Sequence, residues 1–116
     1  MNTVGKVGEN IAVKYLKRHG CKIIARNFGL KCGEIDIIAK DSKYICFIEV
    51  KTRTSDMFME PFEGVDYVKQ KKIQQTAAMW LGLRKQDDSL CRFDVISIML
   101  NENYKALEIE HIKDAF

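Results

Sequence analysis

The sequence predicts a single α/β domain, a mixed central β-sheet flanked by helices in the order α-β-β-β-α-β-β. Three observations predict it. The 116 residues suffice for one hydrophobic core and fall short of two. Short apolar runs with strand-like alternation are separated by clusters of turn residues. A long segment with helix-forming composition lies between the third and fourth of those runs, the crossover that a parallel strand pair requires.

The elements follow in order. Val4, Val7, Ile11, Ala12, Tyr15 and Leu16 recur at helical spacing, and Gly20 supplies a stop. Cys21 to Phe28 (CKIIARNF) reads as the first strand, ending in the turn-prone Asn27-Phe28-Gly29. Gly33 to Ala39 and Tyr44 to Thr52 are two further strands, and the polar break Lys40-Asp41-Ser42-Lys43 joins them as a hairpin. Residues 53–64 form a loop that holds the only proline, Pro61. Val65 to about Lys85 contains no proline and has Gly82 near its end, which predicts a long helix. Val65, Val68, Thr76, Met79 and Leu83 cluster on one face of it, with Lys72 among them and Lys69 beside, near Ile73 and Trp80. Gln86-Asp87-Asp88-Ser89 is a linker, Arg92 to Leu100 a strand, Asn101-Glu102-Asn103 a turn and Lys105 to Ile112 the last strand.

Composition bounds the function classes. A chain 47% hydrophobic and 30% charged, with one proline, is a folded globular protein rather than a disordered one. No apolar run approaches the roughly 18 residues of a membrane helix, and the N-terminus has no signal-peptide pattern, so no membrane partner and a cytoplasmic location are expected. Cys21, Cys32, Cys46 and Cys91 show no CxxC pairing, which argues against structural zinc and for buried small hydrophobes in a reducing compartment. The net charge of +3 is compatible with a polyanionic partner.

The chemistry gathers in GEIDIIAKDSKYICFIEVKTR, Gly33 to Arg53. Alternation puts Glu34, Asp36 and Ile38 on one face of their strand, and Phe47, Glu49 and Lys51 on one face of the next. A connecting turn with an even number of residues brings the two sets to the same side. A two-residue turn at Asp41-Ser42 sets Glu34 opposite Glu49 with Asp36 diagonal; a four-residue turn sets Asp36 directly opposite. Either way the acids lie within reach of one ion. Paired carboxylates repel, and Mg²⁺ removes the repulsion while taking few protein ligands and leaving room for substrate phosphate. Lys51, pointing the same way, suits charge stabilisation on a phosphate or orientation of a water. The bland alternative is a solvated strand end, which wins for an isolated ExK but explains less once an acid stands on the preceding strand.

Other residues support this cluster. Glu9 sits among Ala12, Val13 and Leu16 at the edge of the first helix's apolar stripe, where a carboxylate can reach a nearby metal or its water. Lys69, Lys72, Arg53 and Arg92 form a candidate basic rim for nucleic acid, although each alone reads equally as a surface charge or a snorkelling stem. The aromatics do not interleave with basic residues, and His19 and His111 have no partner spacing.

Asp36 followed across a hairpin by Glu49-x-Lys51 resembles the PD-(D/E)xK nuclease signature. From about residue 5 to 116 the chain resembles the YraN family of predicted bacterial endonucleases. The resemblance rests on Gly8-Glu9 with Ala12, Arg26-Asn27, GEIDII, FIEVKTR, Val68-Lys69-Gln70 with Lys72-Ile73, RFDV at 92–95 and the closing IKDAF. It implies a restriction-endonuclease-like core with distant kinship to Holliday-junction resolvases. It also implies Asp36 and Glu49 as metal ligands, the Val50 carbonyl as a third, Lys51 as the catalytic lysine and Glu9 as the helix-one acid. Ile35 replaces the proline of the signature. The loop Asp56-Met57-Phe58-Met59 is bulkier than the family's small-residue loop and offers Phe58 and Met59 for a homodimer contact.

The expectation is therefore a Mg²⁺-dependent endonuclease, Mn²⁺ substituting, that acts on DNA, branched or structured forms included. The rival is a non-catalytic nucleic-acid or protein-binding module that keeps the fold.

Overall fold

A computed structural model describes residues 3–55, 64–85 and 89–116. The elements are α1 (Thr3–Arg18), β1 (Lys22–Leu30), β2 (Gly33–Asp41), β3 (Tyr44–Thr54), α2 (Tyr67–Leu83), β4 (Leu90–Leu100) and β5 (Ala106–Ile112), the order expected. The strands form one sheet in chain order. β3 and β4 run parallel, and the other three neighbouring pairs are antiparallel. The parallel pair is the one bridged by α2, because a chain returning in the same direction must cross the whole sheet.

The helices cover opposite faces. α1 buries Ala12, Val13 and Leu16 against Ile37, Ile48 and Ile96. It ends where Gly20 takes φ 84° and the Cys21 N–H donates to the Leu16 carbonyl at 2.9 Å, the usual left-handed stop of a helix. α2 covers the other face, where Ile73, Ala77 and Trp80 meet Ile38, Phe47 and Val95.

Its buried stripe corrects the expectation. Ile73, Thr76, Ala77 and Trp80 face the sheet, while Val68, Met79 and Leu83 are more than half or half exposed at 63%, 50% and 71%. Of the helical residues on the expected face only Thr76 is buried, and contact with the sheet chose the neighbouring side that carries the indole. Lys69 continues that stripe toward the helix N-terminus, and Lys72 lies outside it.

β1 also departs from its reading. Asn27-Phe28-Gly29 does not turn, and pairing with β2 runs on to Leu30–Gly33. Asn27 takes φ 52° inside the strand, a conformation asparagine tolerates. β2 is irregular across from it. Ile35 and Ile38, three residues apart, both pack in the α2-side cluster, so strict alternation fails around Asp36. Of the cysteines, only Cys46 is fully buried, with Cys21, Cys32 and Cys91 half-buried, and all four are free thiols. Pro61, Phe58 and Met59, with the dimer contact expected of them, and residues 86–88 of the linker lie outside the described residues. Among the described residues no helix is long and apolar enough to cross a membrane.

Candidate functional site

The β2–β3 hairpin turns at Ser42-Lys43, with Ser42 at φ 56° between the paired Asp41 and Tyr44. This even turn keeps parity. It lies one residue later than the two-residue turn considered above, so the register instead follows the four-residue alternative. Pairing is Ile38 with Phe47 and Ile37 with Ile48, and there it stops. One step further would set Asp36 opposite Glu49. The Val50 N–H instead donates to Asp36 Oδ2 at 2.8 Å, so the carboxylate, not a backbone carbonyl, closes the pair at this point. The site begins where the β2–β3 ladder ends.

Two acids converge in that opening. Glu49 is buried, 6% exposed, and its Oε1 accepts a hydrogen bond from the Lys69 ammonium. Asp36 is half-buried. Burial first, then the Glu49 carboxylate, pushes its pKa up to about 7 against the lowering effect of the Val50 N–H, and Glu9 raises it further. Asp36 thus feels the charge of both Glu49 and Glu9. Lys69 stays protonated: burial lowers its pKa, but the hydrogen bond and charge of Glu49 outweigh that and the net direction is up.

Close approaches of both helices create this geometry. A Cβ on Gly8 would lie 1.8 Å from Thr52 Oγ1, so only glycine lets α1 rest on the end of β3 and carry Glu9 to the site. A Cβ on Gly33 would lie 3.2 Å from both the Cβ and the carbonyl oxygen of Lys72, so β2 starts directly beneath α2. Asp66 caps α2 by accepting the Lys69 N–H at 2.8 Å. The result is a cavity of ≈ 770 Å³, walled by Tyr67, Val68 and Lys72 of α2 and holding Asp36 and Glu49. Glu34, exposed, lines it too.

The structure brings together Asp36, Glu49, Lys69 and Lys72, with Glu9 acting on Asp36 through its charge. Lys51 is half-buried on β3 and close to Lys69. Arg53 is half-buried two residues further along the same strand. Arg92 does not join them. Its guanidinium donates to Asp94 from Nε at 2.9 Å and to Asp41 from Nη2 at 2.9 Å, with the side chain 13% exposed. Asp94, fully buried, also accepts from His111 Nε2 at 2.8 Å and from the Asp114 N–H at 3.0 Å. An expected rim residue is thus an internal ion-pair partner, held there because Asp94 needs its charge. The sequence signal that could have located this network is an aspartate inside the otherwise apolar run Phe93–Ile96. The Lys69–Glu49 pair had no such signal.

Among the described residues no group of three or more His, Cys, Asp or Glu side chains forms a ready metal cage. The donor set is two carboxylates and neighbouring backbone. That suits Mg²⁺, which binds through one or two protein carboxylates and keeps water and phosphate oxygens for its other positions. The crowding that raises Asp36 is the strain a divalent cation would relieve.

The family model described as "Uncharacterised protein family UPF0102" matches residues 8–98. Similar proteins carry the same description. A UPF0102 protein of Geotalea daltonii is 50% identical over 98% of this chain and 89% of its own length. One of Geobacter metallireducens is 47% identical over 98% and 92%. One of Caldicellulosiruptor bescii is 44% identical over 100% and 98%.

Proposed function

The chain belongs to the uncharacterised protein family UPF0102, and we propose that it is a Mg²⁺-dependent endonuclease that hydrolyses phosphodiester bonds of DNA on a PD-(D/E)xK, restriction-endonuclease-like frame. One observation carries the reading. Asp36 and Glu49 meet from neighbouring strands in one cavity, near enough for Glu49 to raise Asp36, with Lys69 and Lys72 in its lining.

Asp36 and Glu49 would hold the cation, with the Val50 carbonyl as a third ligand and Mn²⁺ as a substitute. The chemistry supplied there is Lewis-acid activation of water and neutralisation of phosphate charge. The chain's own groups do the rest. Lys51 orients the attacking water and offsets negative charge as the P–O bond to the leaving oxygen breaks. Glu9 accepts a hydrogen bond from the water and keeps its lone pair directed at phosphorus. Lys72 and Arg53 receive the flanking phosphates, contacts that bind without reading sequence. DNA bound this way loses affinity steeply with salt.

The test is cleavage of a panel of DNA duplexes, flaps and four-way junctions with and without Mg²⁺. Wild-type cleavage that vanishes with chelator and falls about 100-fold or more in Lys51→Ala and Asp36→Asn is the expected outcome. Equal cleavage by wild type and Lys51→Ala would defeat the assignment. DNA binding with neither cleavage nor divalent-cation binding would mark a binding module instead.

A further inference from the structure

The Lys69 ammonium rests on Glu49, and the two partners differ in freedom. The Glu49 side chain is 7% exposed and the Lys69 side chain 43% exposed, so the acid is held and the base can move. A lysine is a compact charge on a flexible four-carbon stem, suited to such movement. The carboxylate assigned to the cation therefore already has an internal counterion. A dication and an ammonium cannot share Glu49 without strong repulsion, and Lys51 beside Lys69, with Lys72 in the same cavity, adds to it. Glu34 and Asp66 line the cavity as well, but both are exposed, where ion pairs are worth little. A displaced Lys69 is best satisfied by an anion brought into the cavity from outside.

On the nuclease reading above, we propose that Lys69 is a positioning residue that exchanges partners, holding Glu49 in the free protein and a substrate phosphate once a divalent cation takes Glu49. Cation and nucleic acid then each strengthen the binding of the other. Linkage makes the effect reciprocal, so it is measurable from the cation alone. The free protein loads metal weakly, and full loading waits for DNA.

Calorimetric titration with Ca²⁺, in the absence and presence of saturating oligonucleotide duplex, tests the exchange. Wild-type Ca²⁺ affinity is expected to rise about 5–150-fold with DNA. Lys69→Met should bind Ca²⁺ more tightly than wild type without DNA and lose most of that rise. Lys69→Arg, which keeps the charge, should retain the coupling, a rescue that a purely structural role for the side chain would not require. Lys69→Gln repeats the neutralisation should the methionine variant fold poorly. Equal Ca²⁺ affinity of wild type and the neutral variants without DNA, or an undiminished rise in them, overturns the exchange while leaving the metal site standing. No Ca²⁺ binding by any of these proteins, with or without DNA, overturns the metal site and the exchange together.

Discussion

Asp36 carries the clearest physical signature in the molecule. Its pKa is raised from an ordinary carboxylate value to about 7, first by burial and then by Glu49. Between about pH 4 and about pH 7 the folded chain holds a proton that the unfolded chain has released, so stability falls as pH rises through that window. In metal-free buffer with chelator, the urea midpoint of wild type should drop between about pH 5 and about pH 8, and Asp36→Asn should flatten that drop. Mg²⁺ should restore the wild-type midpoint at the higher pH, because an ion binding only the folded state stabilises it. An identical pH profile for Asp36→Asn would mean that the crowding of acids has no energetic weight.

At the scale of the element, the site depends on how closely α1 can lie on β3. Gly8 stands where an added methyl would overlap Thr52, whose branched side chain belongs to a strand and cannot swing clear. Gly8→Ala should therefore cost about 1–3 kcal/mol by urea denaturation, the usual range for overpacking. Because α1 must lift, Glu9 moves with it and cleavage should fall further than stability does. Thr52→Ala in the same chain should recover part of both losses. A single variant as stable and active as wild type would show that helix and strand have slack the contact denies. The α2 side works by the same principle, Gly33 letting β2 begin against Lys72, so each helix reaches the acids over a glycine.

The whole molecule is tied together by Asp94. Buried among Arg92, His111 and the Asp114 amide, and joined through Arg92 to Asp41 of the hairpin, it connects β2, β4, β5 and the C-terminal tail. The Ala115 N–H bond to the Phe93 carbonyl at 2.7 Å lays that tail along the sheet. Burial alone would raise the Asp94 pKa, but its hydrogen bonds from His111, Arg92 and Asp114 prevail and lower it. Its contribution is thus complete above the ordinary carboxylate range and is lost as pH falls through the lowered folded value. Asp94→Asn should destabilise by about 3–5 kcal/mol near neutrality, since it strands a largely buried guanidinium, and should shallow the acid limb of the stability curve. Divalent-cation binding, measured where the variant is still folded, should be unchanged. Loss of less than about 1 kcal/mol would mean that Asp41 alone satisfies Arg92.

Local sequence was enough for the order of elements, the parallel crossover over α2 and the placing of Asp36 and Glu49 on the two strands of one hairpin, since these follow from local periodicity and from one short turn. Residues near each other in the chain settle such features. Tertiary structure decided the rest: which stripe of α2 is buried, that alternation breaks at Asp36, that Lys69 pairs with Glu49 and that Arg92 turns inward to Asp94 and Asp41. The Lys69–Glu49 and Arg92–Asp41 pairs join residues 20 and 51 positions apart. Propensity and periodicity carry no term for such separations, and only the packing of both helices onto one sheet selects among the partners that charge alone would permit.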